Sequence, residues 1–372
     1  MSPTGLMPKF FWTPHSGYHW DGAARRFFEG WYVRLTLPHQ GESFSFMYSV
    51  DDPAGDTACS GGAIQILGPA EQYFFCRLAH VDQFWAWRHR WGAGHWQPLL
   101  VAPPQVGYLS PEQFWQSVKT GYQLTATHHQ GCMTDDATGA IARWDYTIEP
   151  VYGWGPPQGT QLATAGWLSY LPIFEPGWQV LMAHGWATGW AEWQGQRYDF
   201  ERVPIYAEKN WGGAFPQRWF WLQANAFKEQ PALTVTAVGG RRQVFGRSQT
   251  VGLVGVHFAD RFINLDSLTG AMTWHVTPWG HWHLTVANQR YRIVLAGRAA
   301  TAPTPVQVPT WTGLRFECWD TTHGDLTLQV WERSHPASAP DTLLMQAMTS
   351  LAALEVGGQG WEQDWHFHQP MI

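Results

Sequence analysis

The sequence is poor in cysteine and in charge. Its 372 residues include four cysteines and no Cys-x-x-Cys pair, so we expect neither a disulfide framework nor a clustered thiolate site. Only 14% of the residues are charged, and 23 Lys and Arg against 29 Asp and Glu give a net charge of −6. Because nucleic-acid binding requires concentrated Lys and Arg, we predict no nucleic-acid partner.

Long apolar runs and targeting segments are also missing. No stretch reaches the run of about 18 apolar residues that a membrane-spanning helix requires. The N-terminus, Met-Ser-Pro-Thr-Gly-Leu-Met-Pro-Lys, has no apolar core of the kind found in signal peptides. We therefore expect a protein that is either cytoplasmic or peripheral to an internal membrane, with no signal peptide and no transmembrane segment.

Several signatures of catalysis are absent as well. The chain has no Gly-x-Ser-x-Gly elbow, no Walker loop and no Gly-x-Gly-x-x-Gly, which argues against common hydrolase, nucleotide and dinucleotide sites. Two His-x-His pairs, at His281 and His283 and at His366 and His368, place imidazoles on one strand face. The sequence near them contains no Glu-x-x-His motif and no cysteine cluster to complete a ligand set, so we interpret them as polar strand faces and predict no metal site.

Tryptophan, glycine and proline are abundant instead. The 26 tryptophans favour an apolar or sugar ligand or contact with a membrane, while 38 glycines and 25 prolines are typical of many short strands and turns. One short helix is predicted to begin at Ser110, because Ser110, Pro111 and Gln113 match a capping box, and to end before Gly121. Strands are predicted over residues 31–37, 44–50, 63–67, 72–78, 122–127, 142–148, 179–186, 219–227, 233–238, 250–257, 273–276, 282–286, 291–295, 314–319 and 326–331.

A weak internal repeat indicates two units. Trp31 and Trp219 lie about half the chain apart, and each begins an aromatic strand that a turn and an alternating strand follow. We predict an all-β, mainly antiparallel protein with few short helices, divided into an N-terminal unit of residues 1–190 and a C-terminal unit of residues 191–372. Residues 342–356 fit either a helix or a final strand.

Two segments each set one acid among aromatic residues. Glu29 stands between Phe28 and Trp31, and Glu208 precedes the aromatic strand that contains Trp219. Poor hydration would raise the pKa of such a carboxyl. The alternative for Glu29 is an ion pair at a strand edge with Arg25, Arg26 or Arg34.

Paired acids offer a different interpretation. Asp51-Asp52 and Asp135-Asp136 could supply the two carboxylates of a carbohydrate-cleaving site. Adjacent residues on a strand point to opposite faces, however, and Pro53 and Gly139 follow closely. We therefore interpret these pairs as turn formers.

The two aromatic segments and a near-terminal block resemble the tocopherol cyclase family. The matching residues are 14–22, 25–32, 206–212 and 353–358, and the resemblance extends from about Phe11 to Trp361. It implies two lipocalin-like β-barrel or sandwich units. It also implies an enzyme of vitamin E biosynthesis that closes a chroman ring on a prenylated hydroquinone. The prenyl double bond is protonated and the phenol oxygen attacks the resulting tertiary cation, without redox cofactor or metal.

This resemblance also suggests roles for individual residues. For the acid we predict Glu29 or Glu208, with Asp21 and Asp51 as further candidates. The predicted substrate-binding residues are His19, Trp31, Tyr32, Tyr206, Asn210, Trp211, Trp219 and Trp221.

Two other functions remain open at this point: a non-catalytic lipocalin-like carrier of prenyl lipids, and a related terpenoid hydratase or cyclase. The missing transit peptide suits a bacterial member of the family. Phe10, Phe11 and Trp12 fit either contact with a thylakoid-type membrane or a buried N-terminal strand.

Overall fold

The computed structural model describes residues 13–23, 25–55, 57–99, 106–171, 176–244, 247–334 and 340–370. Phe10, Phe11 and Trp12, proposed above as membrane contacts, lie outside these residues. The described chain is built almost entirely of antiparallel strands, which confirms the predicted all-β class. Within it, no helix is long and apolar enough to cross a bilayer.

Eleven strands form the first sheet. Their spatial order is β4-β3-β2-β1-β11-β10-β9-β8-β7-β6-β5, so the long strand β11 returns to pair with β1. The bounds are β1 (Phe28–Leu37), β2 (Glu42–Asp51), β3 (Gly61–Gly68), β4 (Gln72–Leu78), β5 (Phe84–Ala86), β6 (Gly92–Pro98), β7 (Val118–Thr125), β8 (His128–Thr134), β9 (Ile141–Tyr152), β10 (Gly177–Trp193) and β11 (Gln196–Gly212).

The second sheet contains the remaining strands. Its order is β15-β14-β13-β12-β21-β20-β18-β17-β16-β22, and β19 pairs with β20 beside this path. The bounds are β12 (Arg218–Ala224), β13 (Thr234–Val244), β14 (Arg247–Phe258), β15 (Arg261–Asp266), β16 (Ala271–Val276), β17 (His281–Ala287), β18 (Tyr291–Arg298), β19 (Thr304–Thr310), β20 (Gly313–Glu332), β21 (Thr342–Gly358) and β22 (Trp365–Gln369).

The chain passes from the first sheet to the second between Gly212 and Arg218. The division into two units near residue 190 stays a prediction.

Local sequence explains several of these elements. In β17, Trp282, Leu284 and Val286 are buried while His281 and His283 are exposed, as the alternation of a half-buried strand requires. The predicted helix is confirmed as α1 (Pro111–Ser117), where the Ser110 side chain and Gln113 complete the capping box. Residues 342–358 form strand β21, which decides between the two conformations left open for 342–356.

Both acidic pairs serve turns, as predicted. Asp52 follows β2 with a positive φ of 42°. The Asp135 carboxylate accepts the backbone N–H of Thr138 at 2.8 Å and so closes the turn between β8 and β9.

Buried side chains tie the two sheets together. Arg34 of β1 is fully buried, and its guanidinium donates to the Gln223 side chain at 3.0 Å and to the carbonyls of Thr322 and Leu351 at 3.1 and 2.7 Å. These acceptors belong to β12, β20 and β21, so one side chain fixes the first sheet against the centre of the second.

Candidate active site

A cavity of about 770 Å³ lies between the two sheets. This volume falls within the range of roughly 300–1,000 Å³ that is typical of small-molecule sites. Its lining is rich in aromatic residues, and it includes four acidic residues: Glu208 from the first sheet, and Asp266, Asp320 and Glu355 from the second.

Glu208 occupies the wall that the first sheet contributes. It lies on β11 directly opposite Tyr32 of β1, and its side chain accepts a hydrogen bond from the Tyr206 hydroxyl at 2.5 Å. Burial and the nearby Glu355 carboxyl raise its pKa from 4.5 to about 7, although the Tyr206 hydrogen bond acts in the opposite direction. At neutral pH a substantial fraction of Glu208 therefore carries a proton.

Asp320 and Glu355 occupy the opposite wall. They are direct cross-strand partners on β20 and β21, and Glu355 is also the partner of Trp221 on β12. Asp320 is 1% exposed, and the Trp219 indole N–H donates to Glu355. Burial, followed by the mutual proximity of the two carboxyls, raises the pKa of Asp320 well above its ordinary value, and burial raises the pKa of Glu355.

Sequence reasoning missed both of these acids. Glu355 lies in the near-terminal block that matches the family, which was the one available signal. Asp320 stands in an ordinary alternating strand, and only the pairing of β20 with β21 brings it beside Glu355.

Glu29 lies elsewhere, on the opposite face of the first sheet from Glu208. Its carboxylate is fully buried, receives the Lys209 ammonium at 2.5 Å and accepts the His19 backbone N–H at 2.8 Å. Burial alone would raise its pKa, but the Lys209 charge and the His19 hydrogen bond hold the pKa of Glu29 below 4.5. The predicted rise was therefore wrong.

The arginines proposed as partners of Glu29 have other acceptors. Arg25 pairs with Asp21 at 3.0 Å on the surface, and Arg26 pairs with the buried Asp51 at 2.7 Å. Neither Asp21 nor Asp51 lines the cavity.

Most of the predicted substrate-binding residues do line the cavity. The His19 ring stacks on Trp211 with ring centroids 3.9 Å apart, and Tyr32 meets Trp221 edge-on at 5.3 Å. Tyr206 stands behind Glu208 as its hydrogen-bond donor. The predicted residues at the cavity surface are His19, Trp31, Tyr32, Asn210, Trp211, Trp219 and Trp221.

His15 is a further cavity residue that sequence reasoning did not select. Its imidazole contacts His19 at 3.2 Å and the Ser169 hydroxyl at 2.9 Å. Burial lowers the pKa of His15 to about 4, so the ring is neutral at physiological pH. His15 thereby joins the segment before β1 to the 3-10 helix Gly166–Tyr170 across one end of the cavity.

Among the described residues, one group has the side chains to hold a metal ion, and it is remote from the cavity. The ligand atoms of His275, Asp364 and His366 lie within 4.8 Å of one another, and all three residues are exposed. His275 and His366 face each other across β16 and β22. The sequence interpretation considered pairs within one strand and so did not find this cross-strand group.

Comparison with known proteins gives the family. The profile described as "Tocopherol cyclase-like" matches residues 25–358. A protein of Oryza sativa subsp. japonica described as "Probable tocopherol cyclase, chloroplastic" is 39% identical over 377 residues, covering 95% of this chain and 80% of the relative. The "Tocopherol cyclase, chloroplastic" of Zea mays is 39% identical over 378 residues, covering 95% of this chain and 79% of the relative.

Among solved structures, the crystal structure of CghA matches with a TM-score of 0.50 at 9% identity, covering 90% of this chain and 89% of that chain. This likeness supports the fold alone. The match of the family profile and the two plant relatives show more: the chain belongs to the tocopherol cyclase family.

Proposed function

We propose that this chain closes the chroman ring of a prenylated hydroquinone, such as a phytyl-benzoquinol, to give a tocopherol. The observation that carries the proposal is Glu208, a buried carboxyl with a pKa of about 7 on the wall of an aromatic cavity. Protonation of an alkene requires an acid that keeps its proton at neutral pH, and few carboxyl groups do so.

Glu208 is the acid in this proposal, because it is the one predicted candidate that lines the cavity. Glu29 has a different role. Its pair with Lys209 is ionised, and its bond to the His19 backbone holds the segment that carries the stacked His19 ring. Glu29 is therefore a positioning residue.

The aromatic wall suits the cationic intermediate. Tyr32 lies beside Glu208 on one wall, and Trp221 lies beside Glu355 on the opposite wall. A desolvated ring face stabilises a cation by about 2 kcal/mol. A cavity closed around the folded tail also excludes water, which would otherwise capture the cation as an alcohol.

The substrate has an apolar tail, so we place its source in a lipid membrane. Trp167 and Tyr170 of the 3-10 helix at the cavity rim are 73% and 62% exposed. Tryptophan and tyrosine favour the membrane–water interface. The protein would thus contact the surface of a membrane, of the thylakoid type in a bacterial cell, with the cavity mouth toward the lipid.

The test is turnover in D2O. We expect the protein to convert a reduced phytyl-benzoquinol to a chroman that mass spectrometry shows to carry a deuterium on carbon. Glu208→Gln removes the acid and keeps the shape, so chroman formation should fall by about 100-fold or more. Glu149→Gln, which changes an exposed glutamate of the same sheet, is the matched control.

Other outcomes would replace the proposal. Tight binding of the quinol without conversion would identify a carrier of prenyl lipids. A tertiary alcohol as the product would identify a hydratase. Full activity of Glu208→Gln would remove Glu208 from the role of acid.

A further inference from the structure

The second sheet presents an unusual row of side chains to the cavity. Trp221, Glu355 and Asp320 are consecutive cross-strand partners on β12, β21 and β20, so they lie side by side on one sheet face. All three line the cavity, opposite Glu208 of the first sheet. Two carboxyls in direct cross-strand contact are normally destabilising, which makes the pair an unlikely product of packing alone.

Among the described residues, neither carboxyl of the pair forms an ion pair. Asp320 is 1% exposed, and its Oδ1 atom has no hydrogen-bond partner among the described residues. The charge of the neighbouring Arg34 lowers the pKa of Asp320 in part, but the Arg34 guanidinium donates its hydrogen bonds to Gln223 and to two backbone carbonyls. A buried carboxyl oxygen without a donor is costly, so its presence at a cavity surface points to a ligand that supplies the hydrogen.

We propose that Asp320 and Glu355 together accept the phenolic proton of the substrate and place a negative charge beside the tertiary cation. This inference rests on the cyclase reaction proposed above. It assigns the residues that act when the phenol oxygen attacks the cation and loses its proton. Two ionised carboxyls side by side repel each other, so we assign the pair one proton and one negative charge. The shared charge faces Trp221, which lies next to Glu355 in the row.

The reaction balances with these groups. The Glu208 proton forms a new C–H bond at the less substituted alkene carbon as the π bond breaks. The phenol oxygen then donates an electron pair to the tertiary carbon and forms the C–O bond, while its O–H bond breaks and the proton passes to the Asp320–Glu355 pair. The pair returns a proton to Glu208 after the product leaves, so substrate and product are isomers and no further reactant is needed.

Isotope exchange in D2O separates protonation of the alkene from loss of the phenolic proton. In Asp320→Asn or Glu355→Gln, Glu208 still protonates the alkene and takes a proton back. We expect chroman formation to fall by about 100-fold, while the recovered quinol gains vinylic deuterium. Glu208→Gln should abolish both the exchange and the chroman.

Asp325→Asn is the matched control, because Asp325 is an exposed residue of the same strand β20. Circular dichroism and thermal melting establish that each variant is folded. Using both Asp320→Asn and Glu355→Gln keeps the test decisive if one of them fails to fold.

Two results would overturn the assignment. Cyclisation at the wild-type rate in both variants would show that the pair takes no part. Loss of both chroman and deuterium exchange in a folded variant would make the pair the proton donor instead. If the wild-type protein forms no chroman, the proposed function fails, and that outcome is distinct from either of these.

Discussion

Glu29 and Glu208 show how the same residue type acquires opposite properties. Both stand among aromatic residues and both are buried. Glu208 and Lys209 are neighbours on β11, so their side chains point to opposite faces of the sheet. Lys209 reaches Glu29 and keeps it ionised, whereas Glu208 faces the cavity and forms no ion pair among the described residues. The period of two along a strand therefore separates the ion pair from the acid.

The pKa of Glu208 predicts a pH profile. The acid acts only when protonated, so the rate of chroman formation should fall as the pH rises through about 7. Initial rates of chroman formation, measured from about pH 5 to about pH 9, check this expectation. Glu208→Asp, which keeps a carboxyl in an altered position, should retain a descending limb with a shifted midpoint.

The pH dependence of the protein's stability tests the pKa of Glu208 independently. The pKa of Glu208 is 4.5 in an ordinary environment and about 7 in the folded protein, so the folded state binds more protons between these values. The free energy of unfolding should therefore decrease as the pH rises from 4.5 to about 7. Glu208→Gln should reduce this slope, while the raised pKa values of Asp320 and Glu355 leave a contribution of the same sign. An unchanged slope in the variant would contradict the raised pKa.

The sequence allowed the candidate residues to be selected but not their partners. Glu208 and the cavity aromatics lie in compositionally distinctive segments, so they could be found without a structure. The Asp320–Glu355 pair and the Glu29–Lys209 pair depend on strand register, which joins residues far apart in the chain. No local pattern determines register over such distances.

At the scale of elements, prediction succeeded where burial alternates. Strand β17 and the capped helix α1 are examples, and the predicted strands over 314–319 and 326–331 merge into the single long strand β20. Strand β8 was missed because its sequence, His-His-Gln-Gly-Cys-Met-Thr, is polar and yet mostly buried. Its Gln130 is accommodated by a hydrogen bond to Asp145 at 3.0 Å, which the sequence does not reveal.

The position of Trp219 depends on a glycine in the adjacent strand. Trp219 has two cross-strand partners, Gly357 on β21 and Gly240 on β13. A Cβ atom at Gly357 would lie 2.0 Å from the Trp219 ring, whereas a Cβ atom at Gly240 meets nothing within 4 Å. The Trp219 ring therefore lies over Gly357 and not over Gly240. In this position its indole N–H donates to Glu355.

Gly357→Ala should displace this ring. We expect the free energy of unfolding to fall by about 1–3 kcal/mol, because the ring must leave its packed position. Gly240→Ala is the matched control and should change it by less than about 0.5 kcal/mol. Urea unfolding followed by tryptophan fluorescence measures both variants. Equal stability of the two variants would show that the Trp219 ring relaxes without cost.

At the scale of the molecule, the cavity is a product of the two sheets together. The first sheet supplies the proposed donor, Glu208, and the second supplies the carboxyl pair. Arg34 fixes their separation by crossing from β1 to three strands of the second sheet. The composition of the chain indicates an apolar cavity, but the division of acid and base between two sheets follows only from the assembled fold.

The entrance of this cavity leads to the last prediction. Trp167 at the rim is 73% exposed, and we expect it to insert at the membrane surface from which the substrate enters. Trp167→Ser should weaken binding to lipid vesicles by about tenfold, which corresponds to about 1.4 kcal/mol of lost burial. The rate with quinol embedded in vesicles should fall in parallel, whereas the rate with quinol dissolved in detergent should change little, because detergent delivers the substrate without docking.

Trp311→Ser provides the control for general loss of surface tryptophan. Trp311 is 67% exposed but does not line the cavity, so its replacement should leave vesicle binding intact. Vesicle co-sedimentation and the two rates together distinguish the explanations. Equal losses of rate in vesicles and in detergent would place the effect of Trp167 inside the cavity. Equal weakening by both substitutions would mean that exposed tryptophans bind lipid wherever they lie, and the rim would then have no special orientation toward the membrane.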